Sequence, residues 1–244
     1  MKAVITAGGR VEGAFAQEAG TSVKALAPVR GTPMLAAILE ALRECGVTRI
    51  ALVGGDEARR AFGTRVERFV DESPSGAQNI LRALQAWPDD DEPLLYATSD
   101  LPYAGTSAVR DFIGRAAPDA LGVALVEHAD YVARFPGAPP AGITLAGQRV
   151  VNGGLFSIPR GACGQIAAVA TRFFDARKKP WRMASLVSPL VLVEFFLNRL
   201  SIARLESVAS GALRVPSRAV RGCAPELAFD VDSVVEYRYA CTHA

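Results

Sequence analysis

The sequence predicts an α/β protein with a three-layer α/β/α sandwich around a mostly parallel, Rossmann-like sheet. Short apolar runs alternate with helical patterns through the first half of the chain, which is typical of parallel strands covered on both faces. Several of these runs stop at glycines or at an aspartate, as buried strands do where they meet a turn. Hydrophobic residues make up 50% of the 244 residues and charged residues 21%, a composition typical of a folded globular chain.

The first predicted strand is the apolar run Lys2–Thr6, which stops at the turn Ala7-Gly8-Gly9. A helical pattern begins at Pro33 and stops at Gly46. Proline suits the first turn of a helix, because the N–H group that it lacks would have no hydrogen-bond partner there. Ligands of open parallel sheets bind at the carboxyl ends of the strands, so the turn after the first strand is a candidate site. Similar patterns predict further strands at 49–53, 66–70, 94–98 and 121–126, and helices at 77–87 and 106–115.

The second half of the chain has a less regular pattern. Residues 128–154 are rich in glycine and proline and indicate an insertion or a hairpin, and a helical segment is predicted near 161–209. The stretch 228–233 predicts a last strand that leads into a final helix. No low-complexity linker or internal repeat interrupts the sequence, and 244 residues is an ordinary length for one α/β domain. We therefore expect residues 1–244 to form a single domain.

The charge and cysteine content exclude several classes of protein. The 27 Lys and Arg residues nearly balance the 25 Asp and Glu residues, and a net charge of +2 argues against a dedicated nucleic-acid-binding protein. The four cysteines form no CxxC pair, which argues against a zinc knuckle. The apolar runs are shorter than the ~20 residues of a membrane-spanning helix, and the N-terminus does not resemble a signal peptide, so we expect a cytoplasmic protein.

A glycine turn, a lysine and a Gly-x-Pro segment follow one another near the start of the chain. The turn Ala7-Gly8-Gly9 leaves backbone N–H groups open to a phosphate, Lys24 follows in a long loop, and Gly31-Thr32-Pro33-Met34-Leu35 comes next. In this order they resemble the opening of the MobA-like nucleotidyltransferases, which is a strand, AGGxGxR and then KxLxxxxGxPxL. The similarity extends to Ser99-Asp100-Leu101-Pro102 and to Phe229-Asp230-Val231-Asp232-Ser233, which resemble the family's metal-binding aspartate and its closing DxDT/S segment.

The resemblance implies a fold of the nucleotide-diphospho-sugar-transferase type and a Mg²⁺-dependent nucleotidyl transfer. An NMP group would pass from an NTP, with CTP or GTP favoured, to a phosphate or hydroxyl of a small-molecule acceptor, and pyrophosphate would leave. The resemblance leaves room for a homodimer and gives no reason to expect a nucleic-acid partner. The residues that it assigns are Ala7, Gly8, Gly9, Ser75 and Gly76 for the nucleotide, Lys24 for phosphate charge, Asp100 and Asp232 for Mg²⁺, and Asn152 and Gly153 for the acceptor. Lys178, in a basic cluster of the sequence, is a further candidate for the acceptor.

The chemistry of the transfer explains these residue types. Negative charge crowds around the α-phosphorus as pyrophosphate leaves, so catalysis depends on positioning and on electrostatic stabilisation. Mg²⁺ prefers oxygen ligands and binds beside phosphates through one or two carboxylates. Asp100 would supply one carboxylate, and either Asp230 or Asp232 would supply the second, with the family pattern favouring Asp232.

The opening loop departs from the family pattern at two positions. Val11 stands where the pattern has its next glycine, and Gly13 stands where it has an arginine. We therefore hypothesise that Arg10 takes the place of that arginine and reaches the β- or γ-phosphate. Residues 10–23 include several small side chains, so we expect this loop to make few packing contacts and to be mobile without a nucleotide.

Two other functions stay open at this point. The altered loop favours a non-catalytic nucleotide-binding protein that retained the fold, whereas the segment around Lys24 fits a glycosyltransferase poorly.

The apolar stretch 181–205 predicts a buried helix or a subunit contact, with a cover over a lipid-linked or apolar acceptor as the alternative. The basic cluster 175–182 fits a solvated helix end, or a contact of Lys178 or Lys179 with an acceptor phosphate.

Overall fold

A computed structural model confirms the α/β class and describes residues 1–87, 89, 91–176 and 188–243. Within these residues, eight strands form the main sheet and two short strands form a separate hairpin. The strands are β1 (Lys2–Thr6), β2 (Pro28–Val29), β3 (Thr32–Pro33), β4 (Arg49–Gly54), β5 (Arg68–Asp71), β6 (Leu94–Thr98), β7 (Leu121–Glu127), β8 (Ile143–Leu145), β9 (Gln148–Ile158) and β10 (Ser217–Arg221).

The order of strands in the main sheet is β10-β7-β9-β6-β1-β4-β5, and β8 pairs with β9 outside this path. Strand β1 pairs in parallel with β4 and β6, whereas β9 runs antiparallel to its neighbours β6 and β7. In the register of β1 with β6, Thr6 lies opposite Thr98, so the two strands end side by side. The segments that follow these strands therefore start together at the edge where open parallel sheets bind ligands.

Helices cover both faces of the sheet and complete the three layers. Ala3 and Ile5 of β1 pack into one core with helices α2 and α5, whereas Val4 points to the other face and packs with α4 and α7. The described helices are α1 (Gly13–Ala19), α2 (Met34–Glu44), α3 (Asp56–Phe62), α4 (Gly76–Leu84), α5 (Thr106–Arg115), α6 (His128–Arg134), α7 (Cys163–Ala176), α8 (Pro189–Phe196), α9 (Ile202–Leu213) and α10 (Val234–Thr242).

The end of the chain differs from the sequence-based expectation. Residues 228–233 do not form a strand, because the N–H of Val231 donates to the carbonyl oxygen of Asp100 (3.1 Å) rather than to a neighbouring strand. The last strand is instead β10, which pairs in parallel with β7. Ser233 then begins α10 with a capping box that it forms with Glu236. The irregular segment before this cap leaves the backbone free to carry aspartates to the sheet edge.

Of the two expectations for 181–205, the buried helix is wrong for the part that the structure describes, and the subunit contact stays a prediction. Helix α8 buries Val191, whereas Leu190, Val193 and Phe196 are exposed. Residues 181–187 lie outside the described residues. Within those that are described, no helix is both long enough and apolar enough to cross a membrane.

Candidate active site

Lys24 joins the two predicted metal ligands at the carboxyl edge of the sheet. Its Nζ lies 2.6 Å from Oδ2 of Asp100 and also donates a hydrogen bond to Oδ1 of Asp232. Asp100 follows β6, Lys24 follows the loop after β1, and Asp232 precedes α10. The structure therefore brings together three residues that are far apart in the sequence, as the family pattern implies.

Backbone contacts hold this cluster in place. The N–H of Lys24 donates to the carbonyl oxygen of Gly9 (2.9 Å), and the N–H of Val231 donates to that of Asp100. A Cβ on Gly9 would lie only 3.3 Å from Cβ of Lys24. A side chain at this position would therefore press on the lysine, which explains why glycine suits the turn beside it.

The charges of the cluster influence one another. Lys24 and Asp100 are 14% and 16% exposed, whereas Asp232 is 73% exposed. Burial acts to lower the pKa of Lys24, but the charges and hydrogen bonds of Asp100 and Asp232 outweigh it and raise that pKa. Partial enclosure by the protein, together with the charges of Asp100 and Asp232, raises the pKa of Asp230 to about 6. The cluster therefore holds more negative than positive charge at neutral pH.

Asp100 retains a coordinating atom that fits a cation. Its Oδ1 is buried and has no hydrogen-bond partner among the described residues. Asp232 forms an ion pair with Lys24, as Asp100 does, whereas Asp230 interacts with Asp100, Asp232 and Lys24 through its charge. Within the described residues, no group of three or more His, Cys, Asp or Glu residues is placed to hold a metal. A cation here would thus have two carboxylates and take its other ligands from water or phosphate, as Mg²⁺ does.

The glycine turn carries an acidic neighbour that the sequence analysis missed. A Cβ on Gly8 would lie 2.5 Å from Oε2 of Glu72 and 2.9 Å from Nδ2 of Asn79. Glu72 follows β5 and is held there by its N–H, which donates to the carbonyl oxygen of Gly54 (2.9 Å). Its Oε2 is buried without a partner among the described residues, and burial raises its pKa although Arg10 acts to lower it.

Arg10 lies beside the glycine turn and pairs with acidic side chains. It forms an ion pair with Glu72 and lies 3.9 Å from Glu57, and its side chain is 41% exposed. Its backbone forms an antiparallel bridge with Val23, which closes the base of the loop. The guanidinium is thus directed toward Glu72 at the side of the Ala7-Gly8-Gly9 turn.

The expectation that residues 10–23 make few packing contacts is wrong. They contain helix α1, in which Phe15 and Ala19 are buried. The ring of Phe15 stacks on Tyr237 of α10 with centroids 4.8 Å apart. Glu18 forms an ion pair with Arg238 of the same helix. The loop is therefore anchored to the end of the chain that carries Asp232.

Ser75 and Gly76 form the start of helix α4 beside the glycine turn. Oγ of Ser75 accepts a hydrogen bond from the N–H of Gln78 (3.4 Å), so Ser75 caps the helix. Asn79, one turn further on, is buried and binds the backbone of Ser73 in both directions, at 2.6 and 2.9 Å. Its amide also approaches Gly8, so the N-terminal turn of α4 borders the predicted nucleotide site.

The predicted acceptor residues lie on β9. Asn152 is exposed, and its Nδ2 donates to the carbonyl oxygen of Gly153 (3.1 Å). The two residues lie inside β9 and not at a hairpin turn, which is formed instead by Ala146 and Gly147. A Cβ on Gly153 would meet Cβ of Ala124 at 2.7 Å, so β7 and β9 need glycine here. Lys178 lies outside the described residues.

Comparisons with known proteins agree with this architecture. A structure described as a hypothetical transferase from Thermus thermophilus is 30% identical, covers 97% of this chain and 100% of that chain, and superposes with a TM-score of 0.84. The 4-diphosphocytidyl-2C-methyl-D-erythritol synthase of Anaerococcus prevotii, at 12% identity, shares the fold, with a TM-score of 0.56 over 98% of this chain and 95% of that chain.

Sequence relatives and a family model give the same assignment. The bifunctional protein GlmU of Ralstonia nicotianae is 32% identical over 112 residues, which are 44% of this chain and 24% of GlmU. The chain thus spans about a quarter of the length of the curated relatives that it matches. The model of the MobA-like NTP transferase domain matches residues 3–208. This match covers most of the chain, which therefore belongs to the MobA-like NTP transferase family of nucleotidyltransferases.

Proposed function

We propose that this protein transfers an NMP group from an NTP to a phosphate or hydroxyl oxygen of a small-molecule acceptor. The acceptor oxygen forms a bond to the α-phosphorus, the bond from that phosphorus to the pyrophosphate breaks, and a hydroxyl acceptor gives its proton to solvent. The observation that carries the proposal is the contact of Lys24 with Asp100 and Asp232 beside the glycine turn. This contact brings a positive side chain that can neutralise phosphate charge next to two carboxylates that can bind a metal ion.

The nucleotide would bind along the turn Ala7-Gly8-Gly9 and the start of α4. Glycine has no side chain to keep a phosphate from the backbone N–H groups, and a helix N-terminus favours negative charge. Ser75 and Gly76 would lie against the nucleoside, because they begin the helix that borders Gly8. Lys24 would neutralise phosphate charge from the other side of the turn.

Asp100 and Asp232 would hold Mg²⁺. The partnerless Oδ1 of Asp100 and the exposed carboxylate of Asp232 fit a cation that prefers oxygen ligands. Bound there, Mg²⁺ supplies positive charge beside the triphosphate as charge develops on the leaving pyrophosphate. Asp230 adds negative charge to the same region and strengthens the attraction for a cation.

Arg10 would contact the β- or γ-phosphate from the side of the turn opposite Lys24. Its ion pair with Glu72 fixes the guanidinium near Gly8. A planar guanidinium can donate two parallel hydrogen bonds to one phosphate from two of its nitrogens, whereas a lysine has all its donors on one nitrogen. Asn152, Gly153 and Lys178 would serve the acceptor. The pairing of β9 with β6 and the exposure of Asn152 support this role for Asn152.

Binding of the four NTPs with and without Mg²⁺ tests the proposal before the acceptor is known. A bound NTP should raise the melting temperature, because a ligand at 100 times its Kd stabilises the native state by about 2.7 kcal/mol. We expect the largest rise with CTP or GTP. The stabilisation should need Mg²⁺ and should disappear in Asp100→Asn. If none of the four NTPs shifts the melting temperature, the proposal is wrong.

A non-catalytic nucleotide-binding protein would give a different result from an enzyme. It would bind Mg²⁺ and an NTP but release no pyrophosphate with any phosphorylated or hydroxylated acceptor. The departures at Val11 and Gly13 from the family pattern are the observation that favours this second function. Pyrophosphate release that depends on an acceptor would exclude it.

A further inference from the structure

A cavity of about 510 Å³ lies beneath the candidate site, between the sheet and helices α4, α7 and α9. Strands β6, β7 and β9 form its floor and the three helices form its walls. The volume falls within the range of about 300–1,000 Å³ that small-molecule sites occupy. The lining residues are Ile80, Leu84, Tyr96, Thr98, Leu121, Val123, Phe156, Ile158, Ile166, Val169, Ala170, Leu205, Val208, Ala209, Ala212 and Leu213.

The sheet face that forms the floor is less well covered than the opposite face. Leu121, Val123 and Phe156 point into the cavity and are only half-buried. Their neighbours Ala124 and Leu155, which point to the other side of the same strands, are fully buried. Since protein interiors are normally packed without voids of this size, the apolar floor that the described residues leave uncovered indicates room for a ligand.

Helix α9 presents an apolar stripe to the cavity. Leu205, Val208, Ala209 and Leu213 recur at helical spacing on the side that lines it, and none of them is fully buried. The polar residues of α9 that follow Leu205, such as Ser207, lie outside the lining. The stripe therefore has the pattern of a core-facing helix but leaves space in front of it.

Among the described lining residues, polar groups lie only at the end of the cavity that adjoins the candidate site. Thr98 and Tyr96 carry the only hydroxyl groups in this part of the lining. The hydroxyl of Tyr96 shares a hydrogen bond with Oγ1 of Thr6 (3.1 Å), but Oγ1 of Thr98 is buried without a partner among the described residues. Thr98 ends β6 two residues before Asp100, whereas Leu121 begins β7 at the opposite edge. The cavity thus runs along the strands away from the site.

We propose that this cavity binds the linear apolar chain of an amphiphile whose phosphate or hydroxyl head lies at Thr98. A polar ligand would lose its water without gaining partners, because the rest of the described lining is apolar. A volume of about 510 Å³ suits one slender chain and is too small for a folded partner. That the amphiphile is the acceptor of the reaction rests on the proposed function, since its head oxygen would then attack the α-phosphorus beside Asp100. The affinity of the cavity for the chain does not rest on it.

Calorimetric titration with dodecyl phosphate, below its micelle concentration, tests the cavity, with inorganic phosphate as the ligand without a chain. We expect dodecyl phosphate to bind at least tenfold more tightly than phosphate. Ala209→Phe, which fills the cavity from α9, should remove this difference, and Ala203→Phe on the exposed side of the same helix should keep it. Ala170→Phe, on the facing helix α7, repeats the test if Ala209→Phe does not fold.

Binding of Mg²⁺ and NTP in the same preparations separates this inference from the proposed function. Equal affinity for dodecyl phosphate and phosphate in a protein that binds NTP would overturn the inference alone. Undiminished dodecyl phosphate binding in Ala209→Phe or in Ala170→Phe would overturn it as well. Chain-dependent binding that either filled variant abolishes, in a protein that binds no NTP, would support the cavity and refute the proposed transfer.

Discussion

Nζ of Lys24 lies 2.6 Å from Oδ2 of Asp100, so a residue from the loop after β1 and a residue at the end of β6 form one ion pair. The pair exists because β1 and β6 are parallel neighbours whose ends coincide. Asp232, carried by the irregular segment before α10, extends it to a cluster of three. The charges of Asp100 and Asp232 and their hydrogen bonds raise the pKa of Lys24, so the lysine keeps its positive charge between the two carboxylates.

Asp100→Asn and Asp232→Asn should each lower Mg²⁺-dependent pyrophosphate release by about 100-fold or more while the fold stays intact. Each substitution removes a negative oxygen that a cation would use, and a metal supplies several kcal/mol of charge stabilisation. Asp119→Asn is the matched control, because Asp119 is exposed and precedes β7 at the opposite edge of the sheet. Near-normal release by either site variant would remove that carboxylate from the mechanism, and a loss in Asp230→Asn alone would transfer its role to Asp230.

Lys24→Ala should weaken binding of an NTP more than binding of the matching NMP. Loss of one charge-assisted contact costs about 1.5–3 kcal/mol. The loss should be larger for the NTP, because its triphosphate carries more negative charge than the single phosphate of the NMP. Isothermal titration calorimetry measures both affinities in the same protein. An equal loss for NTP and NMP would show that Lys24 serves only to hold Asp100 and Asp232 together.

The stability of the protein should depend on pH through Asp230. Because enclosure and the charges of Asp100 and Asp232 raise its pKa from 3.8 to about 6, the folded protein binds this proton more tightly than the unfolded chain. The protonated Asp230 therefore contributes its full stabilisation of the folded state below its ordinary pKa of 3.8, and this contribution is lost as the pH rises through about 6. Asp230→Asn should melt at a higher temperature than the wild type at pH 8, and the difference should vanish near pH 4. A difference that does not change with pH, measured by calorimetry, would contradict the assignment.

Gly8→Ala should destabilise the protein and weaken NTP binding. The new Cβ would lie 2.5 Å from Oε2 of Glu72 and 2.9 Å from Nδ2 of Asn79, and Asn79 is fixed by two hydrogen bonds to Ser73. Overpacking of this kind costs about 1–3 kcal/mol. Gly114→Ala on helix α5 is the control, because no described residue beyond the local helix backbone and the chain neighbours comes within 4 Å of its Cβ position. This variant should be neutral or stabilising. Urea unfolding of the two variants compares them, and equal stability would mean that Glu72 moves aside freely.

The motifs of the sequence point to the contact of Lys24 with Asp100 and Asp232, but they do not point to Glu72 beside the glycine turn. Lys24, Asp100 and Asp232 each stand in a motif that fixes their place relative to a strand or helix. Glu72 stands in no motif, and it reaches Gly8 only because β5 pairs with β4 and carries it there.

Helix α1 could have been predicted from spacing that the small residues around it obscured. Val11, Phe15 and Ala19 are all buried and recur every four residues, which is the pattern of a helix face. The missed helix changes what is expected of the loop between the glycine turn and Lys24. A loop anchored through Phe15 to Tyr237 does not close over a nucleotide as a whole.

Arg10 should nevertheless respond to the nucleotide, because it lies before α1 and beside the turn. Arg10→Lys should lower turnover, since a lysine lacks the planar fork of two nitrogens that binds a phosphate. Arg10→Ala should lower it further, since alanine removes the positive charge as well. Glu72→Gln should raise the KM for the NTP more than it lowers kcat, because it frees Arg10 from its position without removing it.

Amide hydrogen exchange locates the part of the loop that the nucleotide orders. With NTP and Mg²⁺ we expect new protection at residues 8–12, where backbone N–H groups border the proposed phosphate site. Residues 13–19 should change little, because Phe15 and Ala19 already pack α1 against the protein without a ligand. The same protection in Arg10→Ala, together with normal turnover, would exclude Arg10 from the mechanism. Because Gly13 has no side chain, the site would then bind the triphosphate and support turnover without the family's arginine.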